Sequence, residues 1–332
     1  MTHANLATRT LQPLRLLLYV SPLVVLLLLV PYVTNPYQTF LLSYGLVMAI
    51  AALGFNLLLG YTGLLSFGHS AYFGVGAYAV AFMVKYLHIT SMELFLLGGV
   101  LATTVVTALF GFVCVRYTRI FFSILTMALS QVLWSLAYKF FWVTGGTDGM
   151  RVPTPSLLVG LIDGVSLSYT GKIVAYYYYV LAFFLLSVGL MWLIVHSPFG
   201  KALQAIRDNE TRASFIGVQV QRYRWLAFLV SGVFTGLAGI LWVPLNGLTT
   251  PDILVWTFSG RIVFFAVLGG FRSFVGPILG AVAFNYLETY AISTTVYWQV
   301  VLGVVLVGLV LGMPTGLVGL LSRLHSAVRR AT

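Results

Sequence analysis

The sequence predicts an all-α, polytopic membrane protein of about ten transmembrane helices, on three observations. Apolar residues make up 60% of the 332 positions and charged residues only 8%. The mean hydropathy is +1.00, well above that of water-soluble domains. Apolar runs follow one another between short breaks rich in Gly, Pro or charge. Each run can cross a hydrocarbon layer of about 30 Å, where a helix satisfies its own backbone polar groups.

Taken in order, the first span is expected near residues 14 to 33. It follows Arg9 and Arg15 as a secretory leader would, but ends in VPYVTN with no small-residue cleavage site, so it is read as a retained helix. The next two, 38 to 59 and 66 to 86, flank a Gly-rich stretch. Spans at 92 to 114 and 120 to 142 are separated by Arg116 and Arg119. A long loop over about 143–172 follows, with turns at TGGTDG and a negative point at Asp148. The span at 173 to 195 opens on Tyr176 to Tyr179, read as an interfacial aromatic belt. Beyond a charged loop over about 196–224 come spans at 225 to 246, 255 to 271, 275 to 292 and 297 to 320. The pair at 255–292 is joined by a tight Gly/Pro-rich hairpin carrying Arg272. No linker or soluble domain interrupts the chain, so residues 1–332 are read as one membrane domain.

Basic residues set the orientation. With the N-terminus inside, the cytoplasmic side receives 13 of the 18 Lys and Arg residues, and an even number of spans leaves both termini there. Lys85, Lys139, Arg151, Lys172 and Arg261 fall at or near the outer interface. The net charge of +11 is thus mostly this bias and does not indicate nucleic acid. The single cysteine, Cys114, excludes an intrachain disulfide and is read as a small apolar helix residue.

Chemistry is conspicuous by what is missing. There is no H-E-x-x-H, no G-x-S-x-G and no clustering of the five histidines, so neither a catalytic residue nor a metal site is expected. G-x-x-x-x-G-K-[ST] is also absent: FGKAL and TGKIV lack the upstream glycine and the following hydroxyl. If ATP drives the protein, another subunit binds it. Of the seven acidic residues Glu93 opens a span and only Glu288 falls inside one, which argues against an ion-coupled carrier, since these commonly load their cation on a membrane carboxylate.

Two stretches stand out. In the charged loop, Ser197 and Pro198 can cap and open a helix over FGKALQAI, and Asp208 or Asn209 can cap a second one carrying Glu210 in its first turn and closed by Gly217. There Ala213, Ile216 and Phe215 would present apolar groups flanked by Arg207 and Arg212. The pattern suits a docking surface; a surface lying on lipid phosphates is the other reading. In the second stretch, Gly60 to Ala77, small residues either let helices pack closely or break a helix so that its backbone lines a solute path. On the path reading Gly63, Ser66, Phe67, Gly68 and His69 are the candidate lining residues, with Ser66, Phe67 and His69 exposed.

These stretches also carry a resemblance. SPFGKALQAIRDNETRASFIGVQVQRYRWLAFLVSGVFTGLAGIL, together with GFNLLLGYTGLLSFGHSAYFGVGAYA, TGGTDG, VLGGFRSFVGPILGA and MPTGLVGL, resembles the branched-chain amino acid ABC transporter permeases of the LivM type, in order and over nearly the whole chain after the first span. The resemblance implies a type II ABC importer permease fold in the bacterial inner membrane. The expected partners are a homologous LivH-like permease subunit, two ATPase subunits that bind and hydrolyse ATP, and a periplasmic solute-binding protein. It also implies that the charged loop is the coupling element. Ala213 and Gly217 then occupy the A-x-x-x-G core of the loop motif, Glu210 its acidic side, and Arg207, Asp208 and Arg212 its charged rim. The cargo would be a branched-chain amino acid, or urea, a short amide or an aromatic acid. Arg261, in TFSGRIVFF, stands where many members of the family are expected to carry an acidic residue; it either meets the solute or binding protein or snorkels to a lipid phosphate. The alternative function is an ATPase-independent channel or secondary transporter.

Overall fold

The structure, a computed structural model, describes residues 21–117, 119–157, 169–312 and 316–319. Residues 14–20 of the first expected span, Asp163, the MPT of the last motif and the basic residues beyond 320 lie outside the described residues. Helix α1 spans Ser21–Val33. It is followed by α2 (Pro36–Asn56), α3 (His69–Leu87), α4 (Met92–Cys114), α5 (Arg119–Lys139), α6 (Phe141–Thr144), α7 (Tyr169–His196), α8 (Pro198–Asp208), α9 (Glu210–Phe215), α10 (Val220–Asn246), α11 (Trp256–Gly269), α12 (Gly276–Thr294) and α13 (Trp298–Gly312). Each expected span meets a helix. Six of them are long and apolar enough to cross a membrane, and α1, α11 and α13 are shorter apolar helices.

One boundary differs in a way that matters. Helix α10 begins at Val220, not near 225, so Arg222 and Arg224 belong to the helix and the loop ends sooner than expected. Arginine is a good helix former, and its long stem lets a charged first turn project beyond an apolar span.

The centre of the bundle is α2, α3 and α10. In their most apolar stretches 89%, 61% and 72% of residues are buried, against 22%, 22% and 33% for α4, α5 and α7, which form the outer layer. Helices α3 and α10 supply the small residues that allow this. A Cβ on Gly239 would strike the carbonyl of Phe73, and one on Gly76 the carbonyl of Gly236, so the α3 and α10 backbones touch without intervening side chains. Among membrane helices, where lipid is as apolar as leucine, such contact is a main source of association.

Buried polar side chains tie the layers together. Ser70 Oγ donates to the Leu254 carbonyl (3.1 Å), Asn285 Nδ2 to the Leu41 carbonyl (2.9 Å) and Tyr176 OH to the Leu241 carbonyl (2.7 Å). The tyrosine run is therefore not simply an aromatic belt. Tyr177 is fully buried and donates to the Leu27 carbonyl (2.6 Å), and Tyr178 donates to that of Leu28 (2.9 Å), joining α7 to α1 and α10.

The two ends of the bundle differ. One carries α8, α9 and the hairpin with Arg272. At the other, Lys85 donates to the Val143 carbonyl (2.9 Å), and strand β1 (Met150–Arg151) pairs antiparallel with β2 (Leu248–Thr249), with Met150 opposite Thr249. That pairing lays the long loop across the end of α10.

Candidate functional site at the basic end of the bundle

Helix α8 forms where the capping pattern places it. Ser197 Oγ accepts from the Gly200 amide (3.4 Å) and Pro198 occupies the first turn, where its missing N–H costs nothing. Gly200, Leu203 and Ile206 are buried at helical spacing, so this face lies on the bundle. Phe199 stacks on Tyr223 of α10, ring centroids 5.6 Å apart.

At its far end Arg207 makes the key contact. Its Nη1 donates to the carbonyl of Gly60, while Nε and Nη2 donate to Asp208 Oδ1 at 3.3 and 3.2 Å. Gly60 lies in a π-helical turn, Leu57–Thr62, that continues α2 and ends at Gly63 with φ 74°. The stem of Arg207 passes so close to Gly63 that a Cβ there would sit 2.8 Å from its Cγ. The two stretches singled out in the sequence thus meet: the charged loop grips the point where α2 loses its α-helical ladder. A second tie, Asn56 Nδ2 to the Ser273 carbonyl (3.3 Å), holds the same turn to the α11–α12 hairpin.

Helix α9 is capped by Asn209, not Asp208: Asn209 Oδ1 accepts from the Arg212 amide at 2.9 Å. Glu210 accepts two bonds from Arg224, Nη1 to Oε1 at 2.8 Å and Nη2 to Oε2 at 2.7 Å. The Arg224 side chain is 7% exposed and that of Glu210 49%. A bidentate, charge-assisted pair of this kind fixes geometry as well as charge. It clamps α9 to the first turn of α10, which sequence spacing did not reveal.

Ala213 corrects the expected surface. It is buried against the bundle, because the clamp turns that side of α9 inward, whereas Phe215 is 84% and Ile216 76% exposed. Gly217, with φ 88°, closes the unit as its amide donates to the Ser214 carbonyl (3.0 Å). The outcome is a small rigid knob with an apolar tip and with Arg212 and Arg222 exposed nearby.

The Gly-rich stretch divides between its two readings. Residues 63–68 do break the helix, but Gly76 packs inside α3. Ser66 and His69 are fully buried, contrary to the exposed placement expected on the path reading; Gly68 is buried, Phe67 half-buried and Gly63 exposed. The broken backbone is satisfied by neighbours: Ser123 Oγ donates to the Leu65 carbonyl (2.6 Å) and the Gly68 amide donates to Ser66 Oγ (3.3 Å). His69 Nε2 shares a hydrogen bond with Ser231 Oγ (2.8 Å), and its ring meets Phe55 and Tyr72 edge-on.

Arg261 pairs with Glu288 across α11 and α12. Among the described residues no group of three His, Cys, Asp or Glu could hold a metal. What this end of the molecule offers is mechanical: an exposed tip, a rigid knob, and two ties into the central helices.

Comparison with known proteins agrees with this architecture. The family model for the branched-chain amino acid transport system / permease component matches residues 37–310. The high-affinity branched-chain amino acid transport system permease protein LivM of Salmonella typhimurium is 25% identical over 317 residues, covering 90% of this chain and 74% of its own. LivH of the same organism is 27% identical over 289 residues, with 83% and 92% covered, and BraD of Pseudomonas aeruginosa is 26% identical over 297 residues, with 84% and 93% covered. No solved structure gives a significant match.

Proposed function

The chain belongs to the family of branched-chain amino acid transport permease components, and from that premise we propose that it imports branched-chain amino acids, or a closely related small dipolar solute, as a membrane subunit of an ATP-driven complex. ATP is bound and hydrolysed by two separate ATPase subunits. A homologous LivH-like permease subunit completes the membrane pore, and a periplasmic solute-binding protein delivers the cargo at the end bearing β1 and β2. The basic end faces the cytoplasm, in keeping with the positive-inside rule.

The observation that carries this reading is the knob formed by α8 and α9. Phe215 and Ile216 are large apolar groups exposed in a polar loop, suited to fill a pocket on an ATPase while the neighbouring arginines meet its rim. Arg207 and Glu210 then pass a displacement of the tip to α2 and α10, and rocking of packed helices opens one side of the membrane as it closes the other.

The test is uptake into proteoliposomes containing the assembled transporter, with ATP inside and labelled leucine, isoleucine and valine outside together with the cognate binding protein. Uptake requiring both ATP and binding protein is expected. Uptake by this chain alone, driven by an ion gradient, would replace the proposal with an ATPase-independent carrier.

A further inference from the structure

Away from the basic end, α11, α12 and α13 enclose a groove of about 600 Å³, a size typical of small-molecule sites. One charged pair lies in it, Arg261 of α11 and Glu288 of α12. We propose that this groove receives an aliphatic amino acid as a zwitterion during passage, with the α-carboxylate on Arg261 and the α-ammonium on Glu288. This rests on the transport reading above and assigns it a solute contact.

The position of the pair is the first ground. Arg261 lies five residues into α11 and Glu288 six residues from the end of α12, about 8 Å inside the helix ends at the helical rise. Charge at bilayer depth is costly against lipid and in membrane proteins usually faces a cavity or a functional path. Yet the Arg261 side chain is 35% exposed, while that of Glu288 is 10% exposed. The groove thus sets one accessible charged pair into a mostly apolar lining.

Unused valence is the second. Arg261 bonds to Glu288 through Nη2 alone, and its ring contact is with Phe258, 5.8 Å from the centroid. A guanidinium has five donors, so several have no protein partner among the described residues. Compare Arg224, which spends both terminal nitrogens on Glu210. A carboxylate placed on the remaining donors of Arg261, with an ammonium on Glu288, completes a square of alternating charge.

The third ground is selectivity. The pair sums to zero charge, so a solute of net charge gains nothing from it that it does not lose, whereas a zwitterion satisfies both members. Phe264, Phe284, Leu302 and Leu306 provide the apolar wall, against which an aliphatic side chain leaves water favourably.

The single cysteine makes the test clean, since Cys114 is buried and can be replaced by alanine. In that background Thr257→Cys and Leu306→Cys place a thiol in the groove, and Val304→Cys places one on the exposed face of α13, where Val304 is 68% exposed. Membranes carrying the whole transporter, with binding protein present, are treated with a membrane-impermeant methanethiosulfonate, which reacts only with thiols in water. Both groove thiols are expected to react and the Val304→Cys thiol not to. Saturating leucine should slow the groove reaction several-fold, while leucinamide, lacking the carboxylate, and N-acetyl-leucine, lacking the ammonium, should not. Arg261→Gln should abolish protection but leave labelling intact, and Arg261→Lys should restore part of it. Groove thiols that never react, being covered by lipid or another subunit, would overturn the proposal, as would labelling indifferent to leucine. Uptake of labelled leucine by the same membranes separates the failures. Uptake without protection removes this site alone; absence of ATP-driven uptake removes the transport reading and this site with it.

Discussion

Arg207 donates to the carbonyl of Gly60, a residue 147 positions earlier, and so joins the loop that faces solvent to the turn where α2 ceases to be an α-helix. A π-turn has wider hydrogen-bond rings than the α-helix around it and recurs at functional sites. A carbonyl held there by a guanidinium moves when the guanidinium moves. Replacing Arg207 by Glu should therefore leave the protein in the membrane but uncouple it. A charge-assisted bond contributes about 1.5–3 kcal/mol, so ATP-driven uptake should fall tenfold or more while ATP hydrolysis by the complex persists. Arg207→Lys, which can reach but not fork, should lie between. Normal uptake by Arg207→Glu would remove the residue from the coupling path.

The Glu210–Arg224 clamp predicts a different behaviour. Arg224 is nearly buried, so Glu210→Ala strands a charge, and breaking such a pair from one side costs about 3 kcal/mol. The thermal midpoint of the purified complex should drop clearly. Removing both partners, with Leu at each position, should recover most of the loss, because the desolvation of Arg224 disappears with its charge. A double-mutant cycle on the melting data measures the coupling; additivity would mean that the two side chains do not act together.

Phe215 and Ile216 are tested by binding, not stability. Their side chains touch little of the bundle, so truncation to Ala should leave the melting of the isolated permease unchanged. A central apolar anchor typically contributes about 2 kcal/mol to an interface, or a roughly thirtyfold weaker association with the ATPase subunits. Co-purification under graded salt reads this directly. ATPase subunits retained as well as with the parent chain would place the docking contact elsewhere.

Gly217→Pro should fail more severely than Gly217→Ala. The residue has φ 88° and its amide donates to Ser214; proline fixes φ near about −65° and has no donor. Alanine meets only the left-handed penalty of about 1–2 kcal/mol. Uptake should therefore be reduced with Ala and lost with Pro, with insertion intact in both. Equal uptake by the two variants would show that the turn need not be rigid.

These predictions depend unequally on what the sequence discloses. The spans were legible because a bilayer demands long apolar runs, and α8 was legible because Ser-Pro before an amphipathic stretch is a local signal. The choice of Asn209 over Asp208 as the cap was not, since both side chains can accept and only the chain path decides. The Glu210–Arg224 clamp spans a turn between two helices and leaves no periodic trace. The π-turn is hidden too, because in LLLGYT the glycine announces a break but nothing local distinguishes a widened turn from a plain helix end. The pairing of Arg261 is hidden as well, because its partner lies in the next helix, 27 residues on.

His69 is the residue whose role the sequence leaves open between packing and path, and it supplies the last prediction. As a lone polar residue beside a helix break it could have lined a path; its partner, Ser231, is 162 residues away and only the fold brings them together. His69→Ala should leave a cavity between Phe55 and Tyr72 and an unpaired hydroxyl on Ser231. Cavity and lost hydrogen bond together should destabilise by about 3 kcal/mol. The yield and melting temperature of the complex should fall, while the KM for uptake, taken per assembled transporter, should stay constant. Ser231→Ala should reproduce a weaker form of the same loss, because it removes the bond but little volume. If instead His69→Ala assembled normally and raised KM, the break at 63–68 would belong to the solute path, and the packed arrangement of Ser66 and His69 would be only one of the positions through which that segment moves.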